Sequence, residues 1–446
     1  MKNCSNDKDQ AVFRPTGFAD LAGKRVGIFG YGVEGRATAA RLGKASDVVI
    51  VDDSPDLGPD VIVTSRGGLD ALRSCDVVLK SPGIPRRRSD VLDLEAGGVT
   101  VTSALNLWFH DTDLSRVLAV TGTKGKSTTT ALVTFFLHCL GDVAQCLGNI
   151  GQPPYDPAVD TSKGWLVLEV SSFQCVDLDV APRVVVVTSL GADHLDWHGS
   201  LERYRSDKLS LTRAPGEHRT LVADTESFHE VQNQLGGDVK FVPSEPTTLA
   251  AALGLIGAHN DANVALALAA VEALTGIAAN DVRSTVAARA SDFEPLRGRL
   301  TLVATEEISG ASVRYVDDGL ATSVLPTLAA LEVFADEPVA LIAGGFDRGV
   351  NYEELALALT TRSQPTTLIT LGNAGARIAA SVRALDSRLN QRSANTMREA
   401  VEFAHASLER GGVVLLSPAA PSFDLYRNWE ERSDDFVAIA RSYSPH

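Results

Sequence analysis

The chain has 446 residues, with 41 Lys and Arg against 56 Asp and Glu, a formal net charge of −15. That balance argues against a nucleic-acid-binding or anionic-membrane surface, and no apolar run is long enough to span a bilayer. A hydrophobic share of 44% supports a substantial core, and the length suggests about two to four domains. Five scattered cysteines (Cys4, Cys75, Cys139, Cys146, Cys175) lack metal-ligand spacing and read as reduced thiols of a cytoplasmic protein. Residues 1–9 lack the apolar segment of a secretion signal and read as a polar tail.

The first element is a strand over 24–29, followed by Gly30-Tyr31-Gly32-Val33-Glu34-Gly35 and an Ala-rich helix through Leu42. A strand over 48–51 then ends at Asp52-Asp53, about twenty residues beyond the first glycine. Gly30, Gly32 and Gly35 in a βαβ context, with Asp52 placed to hold a ribose, form a Rossmann-like nucleotide fingerprint. The pattern alone does not choose NAD over another nucleotide. Strands over 61–64 and 77–80 follow, the second running into Ser81-Pro82-Gly83 and then Arg86, Arg87 and Arg88. Those arginines read equally as a solvated turn or as a basic patch in an acidic protein. Residues 105–113 close this first unit.

The stretch with the most chemistry comes next. A buried strand over 117–120 enters Thr121-Gly122-Thr123-Lys124-Gly125-Lys126-Ser127-Thr128, and a helix over 127–140 leaves it. Strand, glycine turn, Lys-Ser, helix is the arrangement that cradles a triphosphate: backbone N–H groups face the anion, Lys neutralises charge, and Ser or Thr ligates Mg2+. Only Thr123 and Lys124 separate the glycines, against four residues in the usual loop. Gly148-Asn149-Ile150-Gly151 is a glycine turn. A strand over 165–170 carries Glu169, a natural Mg2+ ligand opposite the loop, and precedes Ser171-Ser172-Phe173-Gln174.

A strand over 184–188 leads to Asp193-His194-Leu195-Asp196-Trp197-His198-Gly199. His194 is either a capped loop histidine or a group aimed at a ligand, since open α/β sheets bind ligands beyond their strand C-termini. Tyr204 to Lys208 enter a helix. Asn260 and Asn263 precede a helix over 264–274 and either cap it or face one ligand. A composition shift over 293–299 marks a linker. The βα rhythm then restarts, with strands over 313–316, 339–343, 367–371 and 413–416. These run into Asp317-Asp318-Gly319-Leu320-Ala321-Thr322, Gly344-Gly345-Phe346-Asp347-Arg348-Gly349, Gly372-Asn373-Ala374 and Ser417-Pro418-Ala419-Ala420-Pro421-Ser422-Phe423-Asp424 respectively. The C-terminal edge of this sheet is therefore also a functional rim.

These motifs, in this order, resemble the Mur ligases, ATP-dependent amino-acid ligases that build the cytoplasmic peptidoglycan precursor. The resemblance rests on Thr121–Thr128, Gly148–Gly151, Glu169–Gln174, Asp193–Asp196, Lys208, His259-Asn260 with Asn263, Arg299, Asp317-Asp318 and Gly344-Gly345. It covers nearly the whole chain after the first twenty residues. It implies an α/β protein of three domains. These are a Rossmann-like UDP-sugar domain (1–114), a central P-loop ATPase domain with a mostly parallel sheet (115–296), and a Rossmann-like amino-acid domain (297–446).

Glu169–Gln174, Gly344–Gly349 and Ser417–Asp424 are most similar to the glutamate-adding branch, which acts on UDP-N-acetylmuramoyl-L-alanine through an acyl phosphate. By this resemblance Gly122, Thr123, Lys124, Gly125, Lys126, Ser127, Thr128, Asn260, Asn263, Arg299 and Asp318 serve ATP. Lys126, Glu169, His194 and Lys208 are catalytic. Mg2+ is held by Ser127 (or Thr128), Glu169, His194 and a carbamylated Lys208. Gly30, Gly32, Gly35, Asp52, Ser81 and Gly83 serve the uridine diphosphate, and Asn149 and Gln174 the muramoyl-alanine. Thr322, Arg348, Ser422 and Trp429 form the glutamate pocket, where an Arg suits a carboxylate.

Three positions depart from the family pattern: Lys124 replaces a common Asn, Gly319 a common Ser, and Trp429 a Phe. Asp193–Gly199 and Ala420–Phe423 resemble a branch that adds L-glutamate; D-glutamate remains open. A monomer with small-molecule substrates, and no nucleic-acid or membrane partner, is implied. The rivals are an NAD-dependent oxidoreductase, which leaves the phosphate loop and C-terminal half unexplained, a folylpolyglutamate-synthase-like ligase, and a non-catalytic nucleotide sensor.

Overall fold

The computed structural model describes residues 13–44, 46–308, 310–386 and 388–443; Cys4 and the polar tail over 1–9 lie outside them. Three sheets carry the fold. The first contains β1 (Arg25–Phe29), β2 (Asp47–Asp52), β3 (Val61–Val63), β4 (Val77–Lys80) and β5 (Thr100–Thr102), in the order β3-β2-β1-β4-β5. The second contains β6 (Val117–Thr121), β7 (Ala144–Gly148), β8 (Trp165–Glu169), β9 (Val184–Val187), β10 (Arg219–Ala223) and β11 (Asp238–Val242), in the order β11-β10-β9-β6-β8-β7. All pairings in both are parallel.

The third sheet contains β12 (Thr301–Ile308), β13 (Ala311–Asp317), β14 (Val339–Gly344), β15 (Thr366–Leu371), β16 (Asn390–Ser393) and β17 (Gly412–Leu416), in the order β12-β13-β17-β14-β15-β16. Only β12, an edge strand, runs antiparallel.

Parallel strands covered by helices on both faces must be apolar on both faces. The four valines of β9 and Val117 to Val120 of β6 are accordingly buried without alternation. In the third sheet, Val339 and Leu341 of β14 point into one core, while Ala340 and Ile342 point into the other.

Edge strands other than β3 and β11 escaped the sequence pattern, β16 for the same reason in reverse. β16 reads Asn-Gln-Arg-Ser and is exposed or half-buried along its length. It is a strand because its backbone pairs with Thr367 to Thr370, not because its side chains need burial. β5, β7 and β12 were likewise not anticipated.

The helix expected over 264–274 begins earlier, at His259, and runs to Thr275, so Asn260 and Asn263 lie inside its first turns rather than ahead of it. Among the described residues no single helix is long and apolar enough to cross a membrane.

The chain divides into two compact units. One comprises Met1–Glu245 with Ala262–Arg289 and holds the first two sheets; the other comprises Pro246–Asp261 with Ala290–His446 and holds the third. Cys75, Cys139 and Cys175 are buried free thiols and Cys146 is half-buried, as expected of reduced core residues.

Candidate active site

The second sheet places its chemistry through topology. The chain leaves β6 for β7 and β8 on one side, then crosses β6 to β9 on the other. The C-terminal ends of β6, β8 and β9 therefore meet where connections diverge, which is where open α/β sheets bind ligands. The glycine turn follows β6, Glu169 ends β8, and Thr188 and Ser189 follow β9.

Gly125 takes φ 86° as the N-cap of the helix Lys126–Cys139. A Cβ there would stand 2.5 Å from Asn263 Oδ1, so the backbone must be bare. The turn is pinned by Thr123 N–H donating to Ser189 O (2.9 Å) and Lys124 N–H donating to Ser189 Oγ (2.8 Å). Thr123 Oγ1 accepts from Gly191 N–H and pairs with the Tyr204 hydroxyl, both at 2.9 Å.

Two amines converge on one carbonyl of this turn. Lys126 Nζ donates to Gly122 O (3.0 Å) and Thr123 O (3.1 Å), and Lys208 Nζ donates to Gly122 O (2.8 Å). Lys208 is 2% exposed. Burial first, then the positive field of Lys126, pulls its pKa down to about 7.

At the next residue Ser127 Oγ donates to Glu169 Oε2 (2.6 Å), and Asn149 Nδ2 donates to Glu169 Oε1 (2.8 Å). Ser127, not the half-buried Thr128, is therefore the hydroxyl brought to the carboxylate. This pair of hard oxygen donors suits Mg2+, which takes one or two protein carboxylates and completes its shell with phosphate and water. Among the described residues no three His, Cys, Asp or Glu side chains form a cage.

His194 takes a left-handed φ of 49° as the N-cap of the short helix Leu195–His198. Its ring lies 4.9 Å from that of Phe173, and neighbouring Asp193 pairs with Lys124 at 3.5 Å. Asn263 also reaches this site, with Thr129 Oγ1 donating to its Oδ1 at 3.3 Å.

The first sheet builds the Gly30–Gly35 turn at its own switch point, between β1 and β4. A Cβ on Gly35 would lie 2.1 Å from Gly30 O, so this approach of helix to strand end also needs glycine. Ser81 Oγ donates to Gly30 O (2.7 Å). Asp52 accepts from Tyr31 N–H (2.6 Å) and Ser54 N–H (2.8 Å), holding the turn by its backbone. Gly83 is exposed nearby in sequence.

The arginine triplet is partly solvent-exposed, but each of its members is paired with a carboxylate. Arg86 pairs with Glu95, Arg87 grips Asp207 with both terminal nitrogens at 2.8 Å, and Arg88 pairs with Asp53 and Asp90.

In the other unit, β13, β14 and β17 end side by side. Asp318 is buried, accepts from Ser417 Oγ (2.8 Å), and is pushed up to about 7, above all by burial. Ser422 is buried, Thr322 half-buried and Arg348 exposed. The Trp429 ring lies against Gly298, where a Cβ would come 2.6 Å from Cζ3. Asn260 and Arg299 belong to this unit too, so the residues expected about the nucleotide fall partly in one unit and partly in the other.

Several polar groups were not singled out from sequence. Arg432 is 3% exposed and donates to the carbonyls of Ala420 (3.0 Å), Gly319 (3.1 Å) and Gly344 (3.4 Å). It thereby ties together the three loops that carry Ser422, Thr322 and Arg348. Burial pulls its pKa down to about 10.

Glu34, inside the glycine fingerprint, accepts from Tyr155 OH (2.9 Å) and Gln174 Nε2 (2.7 Å), and burial raises its pKa. Gln174 Oε1 in turn accepts from Ser171 N–H (2.8 Å) in a capping box, so both ends of its amide are held. Lys80 and Asp177 form a buried charge contact at 2.6 Å. A charged residue in an otherwise apolar strand, such as Lys80 ending Val-Val-Leu-Lys, was the available signal.

Residues 120–240 match the family profile described as Mur ligase middle domain. A UDP-N-acetylmuramoyl-L-alanine--L-glutamate ligase of Salinispora tropica is 35% identical over 454 residues, covering 95% of this chain and 98% of its own. One of the same name from Xanthomonas euvesicatoria pv. vesicatoria is 34% identical, covering 95% and 96%. Among solved structures, the UDP-N-acetylmuramate-alanine ligase of Thermotoga maritima shares the fold, with 19% identity, a TM-score of 0.53, and coverage of 94% of this chain and 99% of that one. With relatives this similar over their full length, the chain belongs to the Mur ligase family of ATP-dependent, amide-bond-forming ligases.

Proposed function

We propose that this enzyme joins L-glutamate to the terminal carboxylate of UDP-N-acetylmuramoyl-L-alanine, using ATP, as a monomer in the cytoplasm. The observation that carries the reading is the convergence of Lys126 and Lys208 on Gly122 O, together with the Ser127–Glu169 pair that starts at the next residue. That is an anion cradle with a hard-cation seat beside it. The names of the relatives from Salinispora and Xanthomonas support the substrate and the L configuration.

A carboxylate oxygen of the substrate attacks the γ-phosphorus and ADP departs. The neutral glutamate amine then attacks the acyl phosphate carbon, and the tetrahedral adduct expels phosphate and loses a proton. Bound Mg2+ would supply neutralisation of the charge on the transferring phosphoryl group. Lys126 holds the β- and γ-phosphates, with Gly122 to Thr128 around them and Asn260, Asn263, Arg299 and Asp318 about the rest of the nucleotide. Ser127, Glu169 and His194 would hold the metal. Lys208, whose pKa lowered to about 7 leaves a share of its amine neutral near pH 7, would add to CO2, lose a proton to water, and join them as an anionic carbamate ligand.

Asn149 and Gln174 contact the muramoyl-alanine, and Gly30, Gly32, Gly35, Asp52, Ser81 and Gly83 the uridine diphosphate. Thr322, Arg348, Ser422 and Trp429 receive the glutamate. The three roles divide among residues 1–114, 115–296 and 297–446.

The test is phosphate release with UDP-N-acetylmuramoyl-L-alanine, ATP and Mg2+, given L- or D-glutamate in turn. Release with L-glutamate is expected. Release with D-glutamate alone reverses the chirality, and release with neither overturns the assignment.

A further inference from the structure

His198 lies at the centre of a buried chain that the roles above do not use. Its side chain is fully out of solvent. Nδ1 stands 2.8 Å from Asp207 Oδ2 and Nε2 stands 3.0 Å from Ser172 Oγ. Asp207 is also gripped by both terminal nitrogens of Arg87, which keeps it an acceptor. The imidazole must then carry its hydrogen on Nδ1, and Nε2 accepts the Ser172 hydroxyl hydrogen. Ser, His and Asp in this order resemble a hydrolase triad, but Ser172 is buried at the start of a capped helix and cannot meet a substrate.

The chain has a different use, which its neighbours in sequence reveal. Ser172 lies three residues beyond Glu169; His198 ends the short helix that His194 caps; Asp207 immediately precedes Lys208. One imidazole thus bonds to, or belongs to, each of the three segments that carry Glu169, His194 and Lys208. Its ring also stacks on Phe173 (5.5 Å) and meets Tyr204 edge-on (5.1 Å). The Tyr204 hydroxyl reaches Thr123 in the glycine turn.

We propose that His198, held by Asp207 and Ser172, is a positioning residue that sets the spacing of Glu169, His194 and Lys208 for the Mg2+–nucleotide. This rests on the reading of those three side chains as metal holders given above. Partners that orient metal ligands without touching the metal are worth about 10- to 100-fold in metal affinity or activity.

The test is calorimetric binding of ADP to the full-length protein, with Mg2+ and with EDTA, alongside the thermal midpoint. His198→Phe keeps the ring packing and loses both hydrogen bonds. It is expected to bind ADP in EDTA like the parent while losing about ten-fold of the Mg2+-dependent gain. His198→Asn retains a donor toward Asp207 and is expected to lose less. A merely structural role would lower the midpoint and leave the gain in affinity unchanged.

A parental gain in folded His198→Phe overturns the proposal. If that variant does not fold, a parental gain in both His198→Asn and His198→Gln overturns it, and a partial loss supports it. Glu169→Gln separates the two levels. A parental gain there overturns the metal-site reading itself, whereas a loss there beside a parental gain in the His198 variants overturns only the role given to His198.

Discussion

Asp318 shows what a buried acid at a strand end does to the molecule. Burial, opposed only in part by the Ser417 hydrogen bond, holds its pKa near 7 against 3.8 for an ordinary aspartate. Below 3.8 both folded and unfolded chains are protonated and nothing is lost. As pH rises toward 7 the unfolded chain releases its proton first, so stability falls, and above 7 the full cost is present. Asp318→Asn should therefore stabilise the protein at pH 8 by roughly 2–4 kcal/mol, with the gap closing toward pH 4 in paired denaturant titrations, while ligase activity drops. Arg348, exposed on the loop after β14, answers to a different measurement. Arg348→Ala should raise the glutamate KM at least ten-fold, with ATP binding little changed; an unaltered glutamate KM removes Arg348 from the pocket.

At the scale of elements, strand ends matter more than strands. The helix Val33–Leu42 packs so close to the end of β1 that a Cβ on Gly35 would lie 2.1 Å from Gly30 O. Gly35→Ala should cost about 1–3 kcal/mol and raise the KM for the UDP-sugar substrate, because the displaced turn is also the one Asp52 holds by its backbone. Thermal melts and initial rates check both. The glycine turn before Lys126 and the buried strands β6, β8 and β9 were readable because fully covered parallel strands are continuously apolar. The edges β12 and β16 were not, because backbone pairing rather than side-chain burial makes them strands.

The whole molecule is interleaved: the chain enters the second unit at Pro246, returns to the first at Ala262 and leaves it again after Arg289. The returning segment buries Val264, Leu266, Val271, Leu274, Val282 and Val286 almost completely. At about 1.5–3 kcal/mol each, losing them would remove an amount comparable to a domain's whole stability of roughly 5–15 kcal/mol. A fragment of residues 115–245 should therefore fail to melt cooperatively in circular dichroism. A fragment of 290–446, which keeps all of the third sheet, should melt cooperatively but below the full chain, since it lacks Leu249 and Leu253. A cooperative melt from 115–245 would show that the returning helices are dispensable.

The sequence by itself determined where strands end in glycine or acid. Gly122 to Ser127, Glu169 and Asp317-Asp318 are local patterns, and local pattern follows from backbone geometry and burial period. Which polar groups meet was decided only by the tertiary structure. Gln174 finds Glu34 across 140 residues, Arg87 finds Asp207 across 120, and His198 finds Ser172 across 26. No short-range period encodes such pairs: they form because the sheets bring distant segments into one low-dielectric interior, where each buried charge or hydroxyl must be matched.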